Sequence, residues 1–95
     1  MRAQPPNSAA TDPTVLALAA LAATLGDERR AHRFVDMTGI GTDELRARAA
    51  DPALLAALIG FLEAHEPDLI AVADDVGTTP EQLIAARRAL DPAQE

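Results

Sequence analysis

An all-α fold, a compact bundle of about six short helices, is what this sequence predicts, and three observations carry the prediction. No stretch alternates apolar and polar residues with period two, the mark of a strand. Apolar residues recur instead every three or four positions between Val15 and Leu90. Helix openers and stoppers divide these runs: Asp12–Pro13, Asp51–Pro52 and Thr79–Pro80 open, and Gly26, Gly39 and Gly77 close.

Taken in order, residues 1–11, with Pro5, Pro6, Asn7 and Ser8, show no apolar period and are expected to form a flexible tail. A single helical domain is expected over 12–91, with 92–95 frayed. Asp12–Pro13 opens the first helix, which places Val15, Leu18, Leu21, Ala22 and Leu25 on one face and leaves Leu16 off it. Gly26 suits the left-handed position that ends a helix. Asp27 then caps a second helix, Glu28 to about Thr38, with a buried stripe of Ala31, Phe34, Val35 and Thr38, stopped by Gly39. Thr42 is read as the cap of a short third helix running to about Ala50. Asp43 and Glu44 suit its first turn, where carboxylates meet the positive end of the helix dipole.

The fourth segment, Pro52 to Ala64, is apolar on almost every side. Leu54, Leu55, Leu58, Ile59, Phe61 and Leu62 cover nearly half the cylinder, and Glu63 is its one charge. A helix of that kind belongs at the centre of a fold. Its Ala and Gly residues would let a second helix approach closely. It must end near Glu66, because the residue before Pro67 is pushed away from helical geometry. A fifth helix from Pro67 should bury Leu69, Ile70, Val72, Ala73 and Val76 and leave Asp68, Asp74 and Asp75 in water, with Gly77 as its end. Thr79–Pro80–Glu81–Gln82 is a capping box for a sixth helix running to about Leu90. There, Arg87 falls on the core-facing arc. Its stem should cover apolar surface while its head reaches Asp74, Asp75 or Asp91.

Asp-Pro recurs at 12, 51 and 91, and Leu45 and Leu83 each stand six residues after a turn glycine. The pattern is that of two pseudo-repeated three-helix units around a buried central helix. The same recurrence follows if Asp-Pro is simply a common helix opener in an alanine-rich chain.

Composition bounds function more than it reveals it. The 95 residues carry a formal charge of −7, with no lysine, no cysteine and only two aromatic residues, Phe34 and Phe61. That excludes disulfides and thiolate chemistry, and it opposes binding to nucleic acid or to an anionic membrane. The apolar run from Val15 to Leu25 falls far short of the ~20 residues that span a bilayer. No basic stretch or cleavage pattern flanks it, so a cytoplasmic protein is expected. No catalytic set, cofactor loop or metal site can be placed. His32 with Glu28 and Asp36, or His65 with Glu66 and Asp68, gives a lone histidine among exposed carboxylates, which is weak support for a metal. The chain is expected not to be an enzyme.

Two constellations remain. Arg29, Arg30 and Arg33 form the one basic cluster and the candidate partner-binding residues. The alternative is a solvated face balanced by Asp27, Glu28 and Asp36. Ala73, Gly77 and Leu83 have the spacing of a DNA-binding helix-turn-helix, whose second helix would present Glu81, Gln82, Ala85, Arg88 and Ala89. Glu81 at the entering end opposes that reading, since phosphate neutralisation supplies most of the affinity.

The turn Phe34–x–x–x–Thr38–Gly39, the run Asp43–Glu44–Leu45–Arg46–Ala47–Arg48–Ala49–Ala50–Asp51–Pro52 and the apolar helix after it together resemble a known family. It is a family of small uncharacterised bacterial proteins, the domain of unknown function numbered thirty-five seventy-two. The resemblance covers about Pro13 to Leu90. It implies an all-helical cytoplasmic protein and supplies no activity or site residues. The expected role is a non-catalytic module that binds another protein or itself. A helix-turn-helix regulator using the helix after Gly77 is the alternative.

Overall fold

The computed structural model describes residues 12–91, so the expected tail at 1–11 and frayed end at 92–95 lie outside it. Six helices follow in order: α1 (Pro13–Leu25), α2 (Glu28–Thr38), α3 (Thr42–Ala47), α4 (Pro52–Glu63), α5 (Glu66–Val76) and α6 (Pro80–Leu90). No strand occurs among the described residues, and no described helix is long and apolar enough to cross a membrane.

The helix starts follow local chemistry. Asp12 accepts from the amides of Thr14 and Val15, Asp27 from those of Arg29 and Arg30, and Asp51 from that of Ala53. Each carboxylate satisfies amides that have no partner within the helix. Thr79 Oγ1 accepts from the Gln82 amide at 3.1 Å, while the Gln82 side chain turns to the Thr78 hydroxyl. Only the first half of the capping box therefore forms, and the Gln82 side chain accepts from a neighbouring hydroxyl in place of the Thr79 amide. Gly39 and Gly77 take φ of +74° and +85°, the left-handed position expected of them.

Two expected ends differ. Gly26 is right-handed, at φ −76° and ψ −12°, because the chain passes straight into the Asp27 cap through an Asp27 N–H to Thr24 carbonyl bond of 3.3 Å. Thr42 is the first residue of α3 and makes no cap; Gly41 precedes it in extended geometry. α3 stops at Ala47, where Arg48 turns to hold both Glu44 and Asp51. α4 ends at Glu63, and α5 begins at Glu66 rather than Pro67.

α4 is the centre, as its all-round apolarity requires. Leu55, Leu58, Ile59 and Leu62 are wholly buried, and Leu54 nearly so. Burying each such side chain contributes about 1.5–3 kcal/mol. α4 packs against α6, α1 and α5, and α6 packs against both α4 and α1. α2 and α3 sit outside these four and anchor through single large side chains, Phe34 and Leu45, each with no exposed surface. The Phe34 ring meets the half-buried Phe61 of α4 edge-on, with centroids 5.0 Å apart at 73°. That is the geometry favoured by aromatic quadrupoles. Ala31 and Val35 are only half-buried and Thr38 is exposed, so the α2 stripe is narrower than expected. Short of neighbours, α2 has less to bury against.

The largest departure is the rotation of α1. Its buried residues are Leu16, Ala17, Ala20, Leu21 and Thr24, whereas Val15 and Leu18, expected inside, are 53% and 36% exposed. From Pro13 to Leu25 the helix has no charged side chain on any side. Its sequence therefore sets no preferred face, and the neighbours choose the one that fits α4 and α6. Thr24 is buried because its hydroxyl donates to the Ala20 carbonyl at 2.8 Å, which satisfies it within the helix. Ile70 on α5 likewise stands 52% exposed against expectation.

Burial agrees at some corresponding places of the two halves, Leu16 and Leu55, Ala17 and Ala56, Ala20 and Ile59, Phe34 and Val72, and Leu45 and Leu83. It differs at others, where Leu54, Leu58 and Ala86 are buried and Val15, Ala19 and Arg48 are not. Packing is not repeated, because α6 packs against both α1 and α4 while α3 remains a short element at the rim.

Candidate interaction surface

The basic cluster of α2 is positioned by Asp27, whose Oδ1 accepts from the Arg29 amide at 3.0 Å and the Arg30 amide at 3.1 Å. The Arg30 amide bond, helped by the Arg30 charge and opposed by desolvation, holds the Asp27 carboxyl below its ordinary value of 3.8. From this anchored first turn the three arginines diverge. The Arg30 guanidinium reaches back to the Ala23 carbonyl at 3.3 Å and across to Asp75 at 3.2 Å, leaving its side chain 13% exposed. Arg33 pairs with Asp68 of α5, whose carboxylate is largely covered. Asp68 was expected in water; the arginine brought over it by α2 removes it. Arg29 is exposed and has no ion pair among the described residues. Two of the three candidate residues thus tie α2 to α5, and one points outward.

The helix-turn-helix spacing makes a real corner. Ala73 is buried at the α5 contact, Gly77 is left-handed and Leu83 is wholly buried. Glu81, Gln82, Ala85, Arg88 and Ala89 are all exposed on α6. Arg87 beside them turns inward to Glu63 and Asp91. Arg88 is therefore the one cation on that face, with exposed Asp74 and Asp75 on the preceding helix. His32 and His65 are exposed, and no group of three or more potential metal ligands forms among the described residues.

What reading by residue missed is the outward side of α1. Val15, Leu18 and Ala22 are exposed there, Leu25 is half-covered, and no charge interrupts them. Apolar surface of this kind marks contact sites when it is contiguous, whereas exposed Met37 and Ile70 stand on other helices. An open groove runs along each side of the strip. One is bordered by Asp27, Arg30, Asp75 and Val76, the other by Arg46 and Ala49. The signal was present in the sequence as an uncharged helix, since α1 offers more apolar surface than one layer of neighbours can cover.

A family model described as "Protein of unknown function (DUF3572)" matches residues 10–93. No curated protein and no solved structure matches the chain.

Proposed function

Taking as premise that the chain belongs to the DUF3572 family, which brings no activity with it, we propose that it is a non-catalytic protein-binding module of the cytoplasm. The outward face of α1 is its interaction surface. One observation carries this: a helix without a charge from Pro13 to Leu25 is covered on one side only. Leaving Val15 and Leu18 in water forgoes the stabilisation their burial would give, about 25 cal/mol per Å² of apolar surface. A partner that covers the strip recovers it. The polar corner between α5 and α6 is the weaker candidate, because its one outward cation faces a surrounding excess of carboxylates.

The test is a capture experiment with the full chain and a Leu18→Glu variant, read by quantitative mass spectrometry. Leu18 is 36% exposed, so the variant should stay folded with a modest loss of melting temperature. Proteins held by the native chain and lost from Leu18→Glu are the expected result. Identical profiles, with the variant shown to be folded, would overturn the assignment of this face.

A further inference from the structure

Val15, Leu18, Ala22 and Leu25 follow one another at intervals of three, four and three residues. That is the spacing of a heptad seam, with which two helices pack side by side along their length. The two flanks of the seam are unlike. On one flank Ala19, Ala22 and Gly26 border Asp27, Arg30 and Asp75, two acids to one base, and on the other Leu18, Leu25 and Gly26 border Arg46. Ala22 and Gly26 border both grooves, so the acidic flank and the basic one lie at the same level along the helix. Neither is fully committed within the chain. The Asp75 side chain is 54% exposed beside Arg30, and Arg46 is 72% exposed with Asp43 no nearer than 3.8 Å.

A two-fold axis running along the seam brings each flank of one copy against the opposite flank of the other, with the two helices parallel. Arg46 then faces the acidic flank of the second copy, twice over. An axis across the helix would run the pair antiparallel and set acid against acid. An uncharged seam also spares the contact the like-charge repulsion that two chains of net charge −7 meet elsewhere. Resting on the protein-binding reading above, we infer that the occupant of the α1 face is a second copy of this chain, paired in parallel about an axis along the seam. The seam is about 15 Å long, at 1.5 Å of rise per residue. It belongs with the small interfaces, below about 1,200 Å² in total, that dissociate on dilution.

The cysteine-free sequence makes the test direct. Val15→Cys and Leu25→Cys are made in the full chain, oxidised mildly alone and mixed, and compared with sedimentation equilibrium of the unmodified protein. A parallel seam sets equivalent residues within disulfide reach, so each variant alone should cross-link to itself. Leu18→Glu should abolish the dimer, and Arg46→Glu should weaken it about fivefold or more by replacing attraction with repulsion at the rim. Cross-linking only in the mixture would mean an antiparallel pair and overturn the axis. A monomer at every concentration would overturn the second copy as occupant, with the α1 face still judged by the capture experiment. A dimer indifferent to Leu18→Glu would overturn this pairing through α1.

Discussion

Arg87 crosses from α6 to α4 over Gly60, where it donates from Nε to Glu63, and its Nη1 lies 3.6 Å from Asp91. Its aliphatic stem is packed on the central helix, and its Cδ stands 3.9 Å from where a Cβ on Gly60 would begin. The one charge within α4 and the one cation on the inner arc of α6 thus neutralise each other. Asp91 was expected as a partner; Glu63, one helix away, was not. Both side chains keep about a quarter of their surface in water, so the pair is neither a buried ion pair nor a purely superficial one.

Replacing Arg87 by Met keeps the stem and removes the head. The loss should be about 1–2 kcal/mol, the worth of a charge-assisted hydrogen bond with partial access to water. Arg88→Met, on the exposed side of the same helix, should stay within about 0.5 kcal/mol. Urea melts of both variants make the comparison, and equal effects would remove the structural role of the Arg87–Glu63 contact.

The glycines separate by conformation. Gly39 and Gly77 are left-handed, so alanine at either should cost about 1–2 kcal/mol through Cβ–carbonyl crowding. Gly60 lies inside α4, and an added Cβ there would meet only the Arg87 stem at ordinary contact distance. Gly60→Ala should therefore stabilise the protein by about 0.5–1 kcal/mol, because glycine loses more backbone freedom in a helix. Thermal melts of the three variants should show opposite signs.

Which side of α1 is inside is also measurable. Leu16 is 6% exposed, and Leu16→Ala should cost about 2–5 kcal/mol, comparable with Leu58→Ala on α4. Val15→Ala, at a half-exposed position, should cost no more than about 0.5 kcal/mol. A larger loss at Val15 than at Leu16 would restore the face expected from the sequence and remove the uncovered strip.

That contrast explains what could be read in advance. Asp12, Asp51, Thr79, Gly39 and Gly77 act through bonds to residues two to four positions away, so a linear reading finds them. The centrality of α4 was legible because an apolar helix has to be covered. The orientation of α1 was not, because no charged side of α1 marks an outside. Arg30 and Arg33 find their acids on α5, forty-five and thirty-five positions along the chain, a distance that no local pattern spans. For the same reason the interaction surface itself was hidden, since it is defined by which neighbours fail to arrive.

Acid should act through Asp51. It accepts from the Ala53 amide at 2.9 Å and from Arg48 at 3.1 Å. The Arg48 hydrogen bond first, then the Ala53 amide, hold its carboxyl below its ordinary value of 3.8 against an opposing desolvation. With the folded value lowered, the unfolded chain binds the proton first as pH falls. The contribution is complete above 3.8 and is lost as pH drops through 3.8 toward the folded value. Asp51→Asn keeps a capping side chain but neither titrates nor pairs with the Arg48 charge. The variant should be less stable than the native chain at neutral pH, with a gap that closes in acid below about pH 4. Denaturant melts between neutral pH and acid give the gap directly, and one that is constant with pH would refute the linkage.

Duplex DNA tests the remaining reading of the α5–α6 corner. The spacing of Ala73, Gly77 and Leu83 does build a tight helical corner with an exposed second helix, so shape alone would permit entry into a groove. Charge does not. Glu81 stands in the first turn of α6, where its carboxylate would approach phosphate, and exposed Asp74 and Asp75 line the helix before it. Arg88 is the cation on the outward face, since Arg87 is held by Glu63 and Asp91. The α2 cluster adds little, because Arg30 and Arg33 are spent on Asp75 and Asp68. Even non-specific binders reach dissociation constants of about 10⁻⁴ to 10⁻⁶ M by releasing counterions at several phosphates, and one arginine on the outward face of α6, on a chain of net charge −7, cannot do this. A titration of labelled duplex at low and physiological salt should therefore show no saturable binding into the ~100 μM range. Micromolar affinity that falls steeply with salt and disappears in Arg88→Ala would reverse this conclusion and make α6 a recognition helix.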